Sequence, residues 1–185
     1  MNSVTYVLYG CGTNDCVLVD CGEYEYLLPV LEELSIKPSV VLLTHGHSDH
    51  IQGLISLLES FPEIVVYTNE IGLEMLGNSK RNLSMYHGNP FEIHPKHCRF
   101  VQDGLEEAER IIGSKIEAVA TPGHNPSCIS YKIDKYLFTG DSYIPGVKVF
   151  TNFPKSNKTQ AIESENKLKQ LEMEGYIVMP GHHSV

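Results

Sequence analysis

The sequence predicts a sheet-rich α/β domain with helices covering its outer faces. Two observations lead there. Apolar, β-branched runs alternate with helix-period segments at both ends of the chain, while the middle carries shorter strands in hairpin-like succession. The composition, 42% hydrophobic and 20% charged over 185 residues, is that of one folded domain spanning residues 1–185.

Residues 4–9 and 16–20 read as strands, divided by the turn-rich stretch 10–15. Tyr24–Leu34 places Leu27, Leu28, Leu31 and Leu34 at helical spacing, and Pro38 marks the connection after it. Residues 40–43 are continuously apolar, as expected of a strand buried on both faces. A helix over 51–58, with Ile51, Leu54, Ile55 and Leu58 on one face, precedes a strand at 64–67 and a short helix at Glu70–Leu76. Residues 79–97 show no period, which marks a functional or mobile loop. Strands follow at 100–101, Ile116–Ala120, 128–133 and 136–139, the last two joined by a turn at Asp134-Lys135. A polar helix over 158–171, with Ala161, Ile162, Leu168 and Leu171 as its apolar side, leads to a last strand at 176–179.

Charge narrows the partners. Fourteen Lys and Arg against 23 Asp and Glu give a net charge of −9, which argues against a chain that grips phosphate backbones. The N-terminus lacks a basic region followed by an apolar one, and no apolar run approaches a membrane span. A cytoplasmic protein acting on a small molecule, with neither nucleic acid nor membrane as partner, is expected; oligomeric state is not legible. The five cysteines form no CxxC pair and are expected to stay reduced as small buried hydrophobes.

Histidine carries the functional signal. Thr44-His45-Gly46-His47-Ser48-Asp49-His50 packs four potential metal ligands into six residues, His45 to His50, where a buried strand gives way to a helix. Gly46 removes a side chain where the backbone must bend. Imidazoles and carboxylates suit zinc, iron or manganese. The plainer alternative is a helix capped by Ser48 or Asp49, with incidental histidines.

The segment Thr44–His50 resembles the T-H-x-H-x-D-H signature of the metallo-β-lactamase superfamily. Thr121-Pro122-Gly123-His124, Thr139-Gly140-Asp141 and Pro180-Gly181-His182 are similar to its later motifs, in the same order, although each alone is also an ordinary turn. The resemblance implies a four-layer αββα sandwich of two mixed sheets. It implies one metal held by His45, His47 and His124, and a second held by Asp49, His50 and His182, with Asp141 bridging. Asp20 and Thr44 would support the site without binding metal, and His183 would lie at the pocket rim or behind the ligands. Two divalent ions, most simply zinc, would share a hydroxide that cleaves an ester, thioester or lactone, with Asp49 orienting or deprotonating the water.

Several features prune the family. Asp141 stands where common zinc β-lactamases have a cysteine or no carboxylate, which argues against β-lactamase activity. The chain ends three residues after His182, where glyoxalase II continues into a helical domain, so a standard glyoxalase II is not expected. Gln52 replaces a glycine usual in the motif and is expected to narrow the pocket. Substrate contacts are expected from Tyr86, His87, Tyr143, Lys148 and Lys155. A mononuclear iron oxygenase, a small phosphodiesterase and a non-catalytic metal-binding domain are the alternatives.

Overall fold

The computed structural model describes residues 3–183. Strands β1 (Tyr6–Leu8), β2 (Asp15–Val19), β3 (Lys37–Leu42), β4 (Val65–Thr68) and β5 (Cys98–Phe100) form one sheet in that spatial order. The pair β1–β2 is antiparallel and the rest are parallel. Strands β6 (Ile116–Ala120), β7 (Ile129–Ile133), β8 (Tyr136–Gly140) and β9 (Ile177–Pro180) form the second sheet, antiparallel except for β8–β9.

Alternation of side chains dictates the layers. Val17 and Val19 of β2 and Val40 and Leu42 of β3 face Ile129, Tyr131, Ile133 and Phe138 of the second sheet, building the inner apolar layer. Leu18, Val41 and Leu43 point the other way, against Leu27 and Leu31 of α1 (Tyr24–Leu34) and Leu54 and Leu57 of α3 (Leu54–Ser60). Leu137 and Tyr143 pack under Leu168 of α6 (Lys158–Met173). The result is the four-layer αββα sandwich, with helices outside both mixed sheets. Tyr131 stitches the sheets together: its ring is buried and its hydroxyl donates to the Leu43 carbonyl at 2.8 Å.

The structure departs from the sequence pattern at identifiable places. Pro38 lies inside β3, opposite Cys16 at a register irregularity, where the missing N–H costs no ladder bond. The expected helix over 51–58 is two, α2 (Ser48–Ile51) and α3, broken at Gln52-Gly53. Gly53 is pressed so close to the β2–α1 connection that an added Cβ would meet Cys21 Sγ at 2.9 Å. After α4 (Glu70–Leu76), a helix α5 (Glu106–Ile112) stands where the sequence pattern suggested none, contributing Ala108 and Ile111 to the inner layer. On α6, Ile162 is exposed and Ser164 takes its place in the buried stripe. Cys16, Cys21 and Cys128 are buried thiols, as expected, whereas Cys98 is half-buried and Cys11, in the turn between β1 and β2, is exposed, against the expectation of burial. Among the described residues no helix is long and apolar enough to cross a membrane.

Candidate metal centre

All seven expected ligands meet at one edge of the sandwich. His45 and His47 follow β3, Asp49 and His50 lie in α2, and His124, Asp141 and His182 follow the carboxyl ends of β6, β8 and β9. A continuous parallel strand ends there with its last carbonyls still paired across the inner layer: the Thr44 carbonyl accepts from Ile129 N at 2.7 Å. Neither Ser48 nor Asp49 caps the helix. His47 occupies the cap position but its side chain makes no capping bond, and Ser48 N donates to the Asn82 carbonyl.

Three overlapping groups of three form, each with its donor atoms within 4.8 Å of one another: His45, His47 and His124; Asp49, His50 and His182; and, joining them, His45, His50 and Asp141. In the first, His47 Nδ1 lies 3.1 Å from His45 Nε2 and 3.0 Å from His124 Nε2. In the second, His50 Nε2 and His182 Nε2 are 3.3 Å apart, and Asp49 Oδ2 is 3.3 Å from His182 Nε2. Asp141 stands between them. Its Oδ1 is 3.3 Å from His50 Nε2, and its Oδ2 is 3.5 Å from both His124 Nε2 and His182 Nε2.

These residues fit a pair of divalent ions. Nitrogens tetrahedrally bound at 2.0–2.1 Å would lie roughly 3.3 Å apart, close to the spacings seen. Asp141 Oδ1 is buried and, although 3.3 Å from His50 Nε2, makes no well-formed hydrogen bond, a cost that a cation removes. Gly181 lets the β9 end approach: a Cβ there would strike Asp141 Oδ1 at 2.5 Å and His50 Cε1 at 2.8 Å. Gly46 is similarly needed, because a Cβ would meet that of Met75 at 2.8 Å.

Behind the ligands, Asp20 fixes the ring orientations. Its Oδ1 accepts from Thr44 N at 2.7 Å, and its Oδ2 accepts from Thr44 Oγ1 at 2.7 Å and His50 Nδ1 at 2.8 Å. Thr44 Oγ1 in turn lies 3.1 Å from His45 Nδ1. With their Nδ1 atoms engaged, His45 and His50 both turn Nε2 toward the centre. Asp20 itself sits at φ 60°, a left-handed conformation Asp tolerates better than most residues. His124 Nδ1 donates to the Phe150 carbonyl at 2.8 Å. Asn125, which the sequence pattern did not single out, places Nδ2 3.0 Å from His47 Nε2.

Burial and charge set the two groups apart electrostatically. Burial holds His45 well below the ordinary histidine range, pushes His47 down to about 3 and lowers His124. Burial opposes a charge on His50 too, but the Asp141 and Asp20 carboxylates outweigh it and raise its pKa. Hydrogen bonds to Asp141 and Asp49 raise His182 to about 9. Burial would raise Asp49, yet its bond to His182 and the nearby His50 leave it lowered.

The centre opens into a cavity of about 590 Å³. His87, Lys148 and His183 line it, as expected, beside Leu83, Ile144, Val147, Val149, Phe150 and Phe153. Phe153 packs edge-on against the His47 ring, centroids 4.9 Å apart. Tyr86 and Lys155 line a smaller neighbouring cavity instead. Tyr143 contradicts its expected role: it is buried under α6 and its hydroxyl donates to Glu172 Oε2 at 2.6 Å. Gln52 is exposed and lines neither cavity, so it does not narrow the pocket. The 79–97 segment is tied down by buried Asn82, whose Nδ2 donates to the Phe91 carbonyl at 3.0 Å.

Comparison with known proteins agrees with this architecture. The family model for the metallo-beta-lactamase superfamily matches residues 1–182. The hydroxyacylglutathione hydrolases of Buchnera aphidicola and Citrobacter koseri are 30% and 33% identical over 72% and 71% of the chain. The chain spans less than half the length of these relatives, 45% and 43%. Among solved structures, the BLEG-1 B3 metallo-beta-lactamase is similar over 98% of this chain and 87% of that one, at 25% identity and a TM-score of 0.82. TTHA1623, solved in a di-iron-bound form, is similar over 98% of this chain and 88% of that one, at 26% identity and a TM-score of 0.76. A shared fold, the motifs in order and a match through nearly the whole chain lead to one conclusion: the protein belongs to the metallo-beta-lactamase superfamily.

Proposed function

We propose that the protein is a metal-dependent hydrolase that cleaves a small ester, thioester or lactone with two divalent cations. The observation that carries this reading is the Asp141 carboxylate, poised between His124, His50 and His182 with its Oδ1 buried, 3.3 Å from His50 Nε2 and without a well-formed hydrogen bond. His45, His47 and His124 would hold one ion and Asp49, His50 and His182 the other, with Asp141 shared. When bound, such a pair supplies a nucleophilic hydroxide at neutral pH and stabilises negative charge on the acyl oxygen. Asp49, kept as a carboxylate and facing the cavity, orients the attacking water and accepts its proton. The hydrolase names of the two curated relatives support the reaction class.

Zinc suits the nitrogen-rich donor set, and the di-iron form of TTHA1623 makes iron the natural rival. A mononuclear iron oxygenase would leave Asp49, His50 and His182 without a role, so their close assembly favours the hydrolase. Purified protein carrying about two metals per chain is expected to hydrolyse members of a panel of thioesters, esters and lactones, with β-lactams and phosphodiesters as controls. Silence across that panel, or one iron per chain with thiol-dependent oxygen uptake, would overturn the assignment.

A further inference from the structure

Resting on the two-ion reading, we propose that Ser3, Val4, Thr5 and Tyr6 form a strap that positions the ligands of the second ion alone and so sets its affinity. The strap follows from strand register. β1 and β2 run antiparallel with Tyr6 opposite Val19, so the residues before Tyr6 lie beside those that follow β2. Residues 3–5 continue past that end and reach β9 of the other sheet. Tyr6 anchors them: its ring packs edge-on against Phe138, centroids 5.2 Å apart, and its hydroxyl donates to the Pro180 carbonyl at 2.8 Å.

Three further bonds complete it. Ser3 Oγ donates to the Asp49 carbonyl at 2.7 Å, Val4 N donates to the Gly181 carbonyl at 2.8 Å, and Thr5 Oγ1 accepts from Gly22 N at 3.1 Å. Each ends on backbone that carries the second group. Asp49 is itself a ligand, Pro180 and Gly181 lead directly into His182, and Gly22 lies two residues after Asp20, which holds His50. The fit is close: a Cβ on Gly22 would strike Ser3 Oγ and lie 2.8 Å from the Asp49 carbonyl oxygen. None of the four bonds ends on His45, His47 or His124, or on a residue next to one of them.

The two groups need such help unequally. His124 is fastened from the β8–α6 connection: Ser156 Oγ donates to its carbonyl at 2.6 Å, and the Phe150 carbonyl accepts from its ring. Asp49 sits in α2, a single turn of four residues with no side-chain cap, and its side chain is 36% exposed. Little packing of its own holds that carboxylate toward His182, so its direction is fixed through the backbone that Ser3 grips. Contacts behind the ligands set how well they are preorganised, and losing one costs metal affinity.

The test titrates the metal-free full chain with zinc against a chromophoric chelator, which resolves two dissociation constants. The one that His182→Ala weakens more belongs to the second ion. Ser3→Ala is expected to weaken that constant about fivefold, the effect of one hydrogen bond. Ser3→Ala/Val4→Pro is expected to weaken it about 30-fold, since proline also lacks the N–H. The other constant is expected to stay within about twofold. Ser3→Thr, which keeps the hydroxyl, is expected to bind like the unaltered chain. Ser156→Ala is expected to do the reverse of Ser3→Ala, weakening the first ion about fivefold. Equal weakening of both ions by Ser3→Ala, or of neither, overturns the strap and leaves the two-ion reading standing. Fewer than two zinc ions on the unaltered chain, or a His182→Ala variant that weakens both alike, removes that reading and the strap with it. Should the double variant fail to fold by circular dichroism, Ser3→Ala and Ser3→Thr decide alone.

Discussion

The two halves of the metal centre face one cavity yet are built on different principles. The first is three histidines, all at most 4% exposed, whose burial keeps them neutral and their lone pairs free. The second mixes His50 and His182 with Asp49, whose side chain is 36% exposed, and its histidines are pulled toward the protonated form by carboxylates. A cation entering the first half displaces little; one entering the second competes with protons and water. On the two-ion reading proposed above, the first half is expected to be the tighter site, and the second holds the more exposed ligand, Asp49.

Four changes break or sharpen that contrast. The largest effect is expected from Asp141→Asn, which weakens both ions by about 100-fold or more, since it removes the shared ligand. His182→Ala should instead release mainly one ion, and equal loss of both in elemental analysis and competition titration would contradict the division. Asp20→Asn comes next. It should cost about 10–100-fold in metal affinity, more in the second half, because His50 contacts Asp20 directly and His45 only through Thr44. Ser164→Ala removes the hydrogen bond from Ser164 Oγ to the Pro122 carbonyl, 2.7 Å, and should lower unfolding free energy by about 1 kcal/mol in denaturant titration. Its effect on metal should fall on the half that contains His124.

The smallest effect belongs to a residue far from the centre. Asp15, lowered chiefly by the hydrogen bond from Ser39 and aided by Lys37, sits at the start of β2. A carboxylate lowered in the folded state adds stability above its unfolded pKa of about 3.9 and loses it as pH falls through the folded value. Asp15→Asn should thus cost less than about 1 kcal/mol at pH 7, and thermal melts of the two proteins should draw together only as pH falls below about 4, through the lowered folded value.

The cluster of His45, His47, Asp49, His50, His124, Asp141 and His182 was legible because each lies in a short motif at a strand end, where spacing and residue type survive in the linear chain. Asp20 was legible for the same reason. The smaller cavity was not, since Lys80 and Lys155 come to line it together only after the segment following α4 and the β8–α6 connection have folded against each other. Val147, Phe150 and Phe153 form an apolar cluster in a segment without regular structure, a signal that sequence reading passed over in favour of its tyrosine and lysines. Helix α5 escaped because its first turn is acidic and only Ala108 and Ile111 are buried. Tyr143 misled because the turn after β8 sends it to the far face of the sheet, under Leu168.

The clamp on the His124 loop has a consequence for how this chain can vary. Asn157 N donates to the Gly123 carbonyl, Ser164 reaches Pro122, and Gly123 lies flush against Ala161, so the first half of α6 holds that loop in place. Its outward face, Lys167 and Glu163 among others, is exposed and bears on none of this. One helix therefore carries two evolutionary tempos: a stripe of Ala161, Ser164 and Leu168 that must keep step with the metal centre, and a solvent face free to drift.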